Sequence, residues 1–259
     1  MSEFATSKVF DIPVARCTLT EVVAIVEQRI STKSQFQIGV INAAKIVKMQ
    51  SDDFLRDSVL SSDIILADGS SVVLASRVLG NPLPERVAGI DLMHALLVSA
   101  DSNGHRVFLL GASEEVSQKV ADWIESTHPN AIVCGRAHGY FDADQEEALV
   151  RKIRESSPDL LFVAMTSPKK EIFIAKWRDQ LGATVLHGVG GSFDVVAGKV
   201  QRAPLVFQRL GMEWFYRMIQ EPRRLGWRYL STNTRFMTML AGAWLKRTLS
   251  FGSTGRSED

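Results

Sequence analysis

The alternation of short apolar runs with helical patterns is the feature that most constrains how this chain folds. About six such runs are present, and each is followed by apolar residues at helical spacing. The runs cover 37–41, 64–67, 106–110, 131–134, 158–165 and 183–187. This alternation predicts a doubly wound α/β fold with a mostly parallel, Rossmann-like sheet. In such a sheet the loops that follow the strands lie along one edge, where ligands bind.

Polar residues stand at the ends of two neighbouring runs. Asp68 follows the run 64–67 and precedes Gly69 and two serines, which predicts a strand, a sharp turn and a helix start. A carboxylate fixed at a strand end can accept a proton from a substrate hydroxyl. Asn42 follows the run 37–41 in the same way. Taken alone, each of these two residues is also typical of a helix N-cap.

Other loops at the predicted edge carry groups that suit an anion. Arg86 stands in a loop rich in Pro and Gly, where its guanidinium could hold an anion or simply face solvent. Gly111 permits a close backbone approach before a helix N-terminus. Residues 166–171 place Lys170 and a second lysine at a helix start, as a diphosphate seat or as a solvated turn. Several such groups at one edge favour a binding site over unrelated caps.

A glycine-dense loop follows the last run. Gly190 and Gly191 lie within residues 188–194, and such a loop can wrap its backbone round a ligand. It lacks the GxGxxG pattern and the acidic partner of dinucleotide-binding enzymes. The sequence therefore disfavours an NAD-dependent oxidoreductase.

Charge is distributed unevenly along the chain. Of the 259 residues, 202–247 contain nine Lys or Arg and two acidic residues, although the net charge of the whole chain is +1. We expect an α/β core over 1–201 and a basic, aromatic-rich helical appendage with a polar tail over 202–259. Its first helix is predicted over 205–219, before Glu221 and Pro222. The appendage suits a membrane interface, nucleic acid, or packing on the core, and the low overall charge counts against nucleic acid.

Several further features bound the class of protein. Cys17 and Cys134 have no CxxC partner, which indicates a reducing compartment. Residues 1–8 lack an apolar stretch, so we expect no secretory signal, and no apolar run is long enough to span a bilayer. Asp142 and Asp144 look like a metal-binding pair, but the helical pattern behind them predicts a helix cap and first turn. The five histidines show no ligand spacing, so we expect no metal site.

The ordered set of motifs resembles the WecG/TagA/CpsF family of bacterial glycosyltransferases, from about residue 38 to residue 229. The motifs are Val-Ile-Asn-Ala-Ala at 40–44, Ala-Asp-Gly at 67–69, Glu-Arg-Val-Ala-Gly-Ile-Asp at 85–91, Phe-Leu-Leu-Gly at 108–111, Gly-Tyr-Phe at 139–141, Pro-Lys-Lys-Glu at 168–171, Gly-Val-Gly-Gly-Ser-Phe-Asp at 188–194, Arg-Ala-Pro at 202–204, Glu-Trp at 213–214 and Glu-Pro-Arg-Arg at 221–224.

The resemblance implies an inverting enzyme that needs no metal or other cofactor. Such an enzyme moves a sugar from a UDP-sugar to a saccharide on a polyprenyl diphosphate, in cell-envelope or exopolysaccharide synthesis. We expect it on the inner, cytoplasmic face of the membrane as a peripheral protein, with its oligomeric state open. The roles implied are a general base for Asp68, a shared pocket for Asn42 and Arg86, nucleoside contacts for Tyr140 and Asp194, and lipid-diphosphate contacts for Arg217, Arg223, Arg224 and Arg228.

Two positions depart from the family's pattern. Val40 stands where the family often has threonine, and Lys170 stands where it tends to have glutamine. Lys170 could stabilise the departing UDP, which other sugar transferases do with a metal. The departures keep a second interpretation open, in which the chain binds UDP-sugars without catalysis and regulates a polysaccharide assembly complex.

Overall fold

A computed structural model of the chain describes residues 4–253, apart from the side chains of Arg209, Arg224, Leu225, Arg228 and residues 250–253. The described chain begins with an antiparallel hairpin of β1 (Thr6–Val9) and β2 (Ile12–Ala15). Its turn residues Phe10 and Asp11 both take positive φ, which matches the twist of a two-residue hairpin turn. This hairpin was not predicted, because its turn residues Phe-Asp lack the glycine that usually marks such a turn.

Six parallel strands form the main sheet, as predicted. They are β3 (Phe36–Ile41), β4 (Ile64–Ala67), β5 (Arg106–Gly111), β6 (Ile132–Ala137), β7 (Leu160–Ala164) and β8 (Val185–Gly188). Their spatial order is β4-β3-β8-β7-β5-β6. The chain therefore crosses the sheet between β4 and β5, and all six carboxyl ends share one edge.

Helices connect the strands, and their starts follow local capping chemistry. The helices are α1 (Leu19–Ser31), α2 (Ala43–Lys48), α3 (Asp53–Leu60), α4 (Ser70–Val78), α5 (Gly89–Asn103), α6 (Glu114–Thr127), α7 (Glu146–Glu155), α8 (Lys169–Trp177), α9 (Ser192–Val196), α10 (Leu205–Arg209), α11 (Glu213–Gln220) and α12 (Pro222–Ser253). Thr18 and Glu21 form a capping box before α1. A 3-10 turn begins after Asp142 and leads into α7, as predicted for that aspartate pair.

Both faces of the sheet are covered, which explains why the strands are apolar throughout. One face packs against α1, α5 and α6. The opposite face carries two separate clusters. The first joins the hairpin with α2, α3, α4 and α12, and the second joins the sheet to α7 and α8. The gap between these two clusters lies under β3 and β8, and it holds charged side chains described below.

The C-terminal segment differs from the single helix predicted over 205–219. The chain breaks between α10 and α11, where Gly211 takes a φ of +71°. A Cβ at Gly211 would lie 2.7 Å from Cβ of Ser70, so only glycine allows this turn to pack on the start of α4. The predicted break at Pro222 is confirmed, since Pro222 opens α12.

The last helix is part of the folded core. Phe236 and Leu240 of α12 are buried, and Phe236 packs edge-on against Phe10 at 5.4 Å between ring centroids. Arg247 donates to the carbonyl of Val78 at 3.2 Å and so satisfies the end of α4. Among the helices of residues 4–253, none is long and apolar enough to cross a membrane.

Candidate active site

Asp68 and Asn42 meet at the carboxyl edge of the sheet. Strands β3 and β4 pair with Ile41 opposite Ala67, so the next residue of each strand emerges beside the other. Asn42 Nδ2 lies 3.5 Å from Asp68 Oδ2. The Asn42 oxygen accepts from the Lys45 amide at 3.0 Å, so Asn42 is also the cap of α2. Asn42 therefore fits both interpretations made from the sequence.

Asp68 does not cap the helix that follows it. The N-cap of α4 is Gly69, which makes no side-chain capping bond. Asp68 Oδ1 instead accepts from the amide of Gly89, the first residue of α5, at 2.8 Å. This bond fixes the carboxylate, and Oδ2 is left toward Asn42 and the edge of the sheet. The geometry suits a carboxylate that accepts a proton.

His187 lies beneath this carboxylate. The side chain is fully buried at the end of β8, and its Nε2 lies 3.2 Å from the carbonyl oxygen of Gly89. Burial lowers the pKa of His187 to about 4, against a smaller opposite effect of the bond to Gly89. The ring is therefore neutral at neutral pH, and Nε2–H is the donor. From the sequence, His187 was predicted only as the last residue of a strand.

Three buried charges occupy the gap between the two core clusters. Lys45 Nζ donates to Glu171 Oε1 at 2.8 Å, and Lys170 Nζ lies 3.7 Å from the same oxygen. The side chains of Lys45 and Glu171 are each 8% exposed. Burial raises the pKa of Glu171, but attraction to the two lysines outweighs this, so the pKa falls below its usual value. The cluster joins α2, which carries Asn42, to the start of α8.

Lys170 lies along the glycine loop that follows β8. A Cβ at Gly188 would lie 3.2 Å from Lys170 Cδ, and one at Gly190 would lie 3.6 Å from its Nζ. Burial and the charge of Lys45 lower the pKa of Lys170 to about 8, while Glu171 and Asp68 act in the opposite sense. Lys170 is therefore still largely cationic at neutral pH. Its ammonium group lies beside the glycine loop and interacts electrostatically with the carboxylate of Asp68.

The rest of the glycine loop leads into α9. Gly190 takes a φ of +55°, and Gly191 is the N-cap of α9. Asp194, in the first turn of α9, lies 3.6 Å from Lys199 Nζ. Its contact with a nucleoside stays a prediction.

Gly111 and Tyr140 mark the other side of the edge, beyond β7. A Cβ at Gly111 would lie 2.4 Å from the carbonyl oxygen of Ala164, so this strand end requires glycine. Tyr140 is 77% exposed on a loop that Lys169 holds in place. Lys169 Nζ donates to the carbonyl of Gly139 at 2.9 Å and lies 3.4 Å from that of Phe141. An exposed aromatic ring on a fixed loop suits stacking against a base.

Arg86 is bonded to the C-terminal segment. Its guanidinium donates to Glu213 of α11 and lies 3.5 Å from Asp91 of α5. Arg202 bonds the other oxygen of Asp91 and lies 3.8 Å from Glu213. These four charges hold α11 against the edge that carries Asp68. A diphosphate that binds Arg86 would therefore either share the guanidinium with Glu213 or displace Glu213 from it.

The four C-terminal arginines are described only in part. Arg217 of α11 and Arg223 of α12 are exposed. The side chains of Arg224 and Arg228 lie outside the described residues.

Within residues 4–253, no group of three or more His, Cys, Asp or Glu side chains is arranged so that it could hold a metal ion.

Comparison with known proteins identifies the family of the chain. A profile of the glycosyl transferase WecG/TagA/CpsF family matches residues 7–250. The chain belongs to this family. Three relatives carry the name N-acetylglucosaminyldiphosphoundecaprenol N-acetyl-beta-D-mannosaminyltransferase. The Bacillus subtilis (strain 168) protein is 37% identical over 246 residues, which is 94% of each chain. The Bacillus spizizenii protein is 40% identical over 183 residues, or 70% of each chain. A Staphylococcus aureus (strain MW2) protein is 42% identical over 162 residues, covering 62% of this chain and 63% of its own.

In this WecG/TagA/CpsF protein, the sequence alone predicted which edge of the sheet carries the candidate site. It did not predict the side chains that support the site. The structure brings Asp68, Asn42 and Lys170 together near the ends of β4, β3 and β8. It holds Gly111 and Tyr140 farther along the same edge. The groups missed are Lys45, Glu171, His187 and Glu213. A histidine within an apolar run was the available signal for His187. Glu171 and Glu213 lie in the motifs at 168–171 and 213–214, but no local pattern marked their partners Lys45 and Arg86.

Proposed function

We propose that the protein is an inverting glycosyltransferase. It uses a UDP-sugar donor and a saccharide carried on a polyprenyl diphosphate, in cell-envelope or exopolysaccharide synthesis. The names of the relatives support the lipid-linked acceptor. The observation that carries the proposal is the Asp68 carboxylate, held at the sheet edge by the Gly89 amide with the Lys170 ammonium nearby.

The chemistry is a single displacement. Asp68 takes the proton of the acceptor hydroxyl as that oxygen attacks the anomeric carbon of the donor. The bond from this carbon to the UDP oxygen breaks, and UDP leaves with the electron pair. Lys170 and the backbone amides of the glycine loop stabilise the charge on the departing diphosphate. Tyr140, at the far side of the edge, and Asp194 contact the nucleoside, and Gly111 lets the donor approach the backbone closely.

This proposal assigns a charge-dependent role to Lys170. We expect the transfer rate to fall as the pH rises above about 8, because Lys170 is cationic below its pKa and neutral above it. The alkaline decline should be absent in Lys170→Gln, which should be slower near pH 7 and flat from pH 7 to 9. A pH–rate profile of both proteins checks this. A wild-type rate that stays level to pH 9.5 would show that the ammonium charge is not required.

A panel of donors and acceptors tests the proposal itself. The purified protein is incubated with UDP-sugars and a short-chain polyprenyl-diphosphate N-acetylglucosamine, with release of UDP and formation of glycolipid as readouts. We expect UDP release only when a suitable donor and acceptor are both present. A rise in melting temperature with UDP, but no UDP release with any pair, would favour the non-catalytic binder instead.

We further propose that the C-terminal helices rest on the cytoplasmic face of the membrane. They expose large apolar side chains together with Arg217 and Arg223, and this combination suits an anionic lipid surface. We call these apolar side chains the C-terminal apolar surface, and they are Leu205, Val206, Leu210, Ile219, Trp227 and Leu230. The saccharide of an acceptor on a polyprenyl chain would then reach the edge of the sheet that lies beside α11.

Substitutions within this surface test the membrane proposal. Deleting residues from 202 onward would remove the buried Phe236 and Leu240, so it would also damage the fold. Instead, Trp227→Glu with Leu230→Glu should weaken sedimentation with anionic vesicles at least fivefold and leave the melting temperature unchanged. Val98→Glu on α5 is the matched control, since Val98 is 57% exposed. Equal vesicle binding by the wild-type protein, the double variant and Val98→Glu would contradict the proposal.

A further inference from the structure

His187 is a buried polar side chain beside the candidate site. Its side chain is completely buried, and its Nδ1 has no hydrogen-bond partner among the described residues. A buried polar atom without a partner costs free energy, and an apolar side chain of similar size would avoid that cost. Packing alone therefore does not explain a histidine at this position.

One contact gives His187 a connection to Asp68. The ring Nε2 donates to the carbonyl oxygen of Gly89 at 3.2 Å, and the amide of the same residue donates to Asp68 Oδ1 at 2.8 Å. A Cβ on Gly89 would lie 3.8 Å from Asp68 Oδ1 and 3.9 Å from His187 Cε1, so Gly89 is in contact with both side chains. Gly89 is the first residue of α5, where backbone amides otherwise lack partners.

We infer that His187 is a positioning residue for Asp68, acting through the backbone of Gly89. The imidazole fixes the carbonyl side of Gly89, and this orients its amide toward the carboxylate. The inference rests on the proposed role of Asp68 as the base. His187 itself does not touch the reacting atoms, so its contribution is to the geometry of proton transfer.

Enzyme kinetics of matched variants test the inference. His187→Phe removes the donor, and we expect kcat to fall by about tenfold to a hundredfold, as for a misplaced catalytic group. The KM values should stay within twofold and the melting temperature should not fall. His187→Gln keeps an N–H that reaches Gly89, so it should retain at least a third of wild-type kcat. In an Asp68→Asn background, His187→Phe should cause no further loss, because the group it positions is already gone.

The opposite pattern would overturn the inference. Wild-type kcat in a folded His187→Phe protein excludes a positioning role. Equal losses in the presence and absence of Asp68 show that His187 acts independently of it. A purely structural role would lower the melting temperature of His187→Phe and His187→Gln and leave kcat of the folded fraction unchanged.

Nuclear magnetic resonance (NMR) keeps the inference testable if His187→Phe does not fold. In wild-type protein with ¹⁵N-labelled histidine and glycine, we expect a neutral His187 ring with its proton on Nε2. The His187 ring and Gly89 amide resonances should shift in Asp68→Asn and stay unchanged in Asp63→Asn, at the other end of β4. Unchanged His187 ring resonances in Asp68→Asn would overturn the inference. This readout needs no turnover, so it is separate from a failure of the proposed glycosyl transfer.

Discussion

Asp68→Asn is expected to lower the transfer rate by about a hundredfold to ten-thousandfold, the range contributed by a general base. Asparagine is nearly isosteric, and its oxygen can still accept from the Gly89 amide that now holds Asp68 Oδ1 at 2.8 Å. The fold should therefore be kept, with a change in the free energy of unfolding of about 1 kcal/mol or less. Initial rates of UDP release, with UDP-induced stabilisation as a binding check, measure the effect.

Asp63→Asn provides the matched control for that experiment. Asp63 lies just before β4, at the opposite edge of the sheet, and bonds Arg178 at 2.6 Å and the amide of Gln37 at 2.7 Å. This substitution should cost some stability but keep the transfer rate within about twofold, because it is remote from the site. Asp68→Asn with more than a tenth of wild-type activity would remove Asp68 from the role of base.

Glu171→Gln is expected to have the largest effect on stability. It removes the carboxylate that Lys45 and Lys170 share, and leaves two buried ammonium groups close together. Breaking a buried pair by removing one partner costs about 3–5 kcal/mol. Thermal or urea unfolding at pH 7 should show a loss in this range. Activity should fall too, since the same carboxylate helps to keep Lys170 cationic.

The surface pair Lys119–Glu115 is the control for this change. Its N–O distance is 2.7 Å, close to that of Lys45–Glu171, but both side chains are more than half exposed. Glu115→Gln should have little effect on the free energy of unfolding, because solvent screens an exposed ion pair. The cost of Glu171→Gln should shrink as the pH rises through about 8, because Lys170 then loses its charge in the folded wild-type protein and its attraction to Glu171 is lost there too. Similar losses for the two variants, independent of pH, would show that the buried cluster does not stabilise the fold.

The architecture could be read from the sequence because strands buried on both faces carry continuous apolar runs. The same property located Asp68 and Asn42, since a polar residue directly after such a run lies at the carboxyl edge. Helix caps such as Thr18 and Asp142 were also predictable, because capping depends on neighbours within a few residues. These predictions were possible because each depends only on residues that are close together in the sequence.

The contacts that support the site were not predictable, because they join distant parts of the chain. Lys45 and Glu171 are 126 residues apart, and Arg86 and Glu213 are 127 apart, so no spacing marks either pair. The hairpin was missed because Phe10 and Asp11 carry no glycine signal. The break in the helix predicted over 205–219 depends on how Gly211 packs against Ser70, which is a tertiary contact.

The anomeric configuration of the transferred sugar tests the central claim most directly. Wild-type protein is given a UDP-sugar donor and a lipid-diphosphate acceptor, and the new glycosidic bond is analysed by NMR. The single displacement with Asp68 as base predicts a configuration opposite to that of the donor. A product that retains the donor configuration would contradict the account, because retention requires either a covalent sugar–enzyme intermediate or attack from the face that UDP leaves.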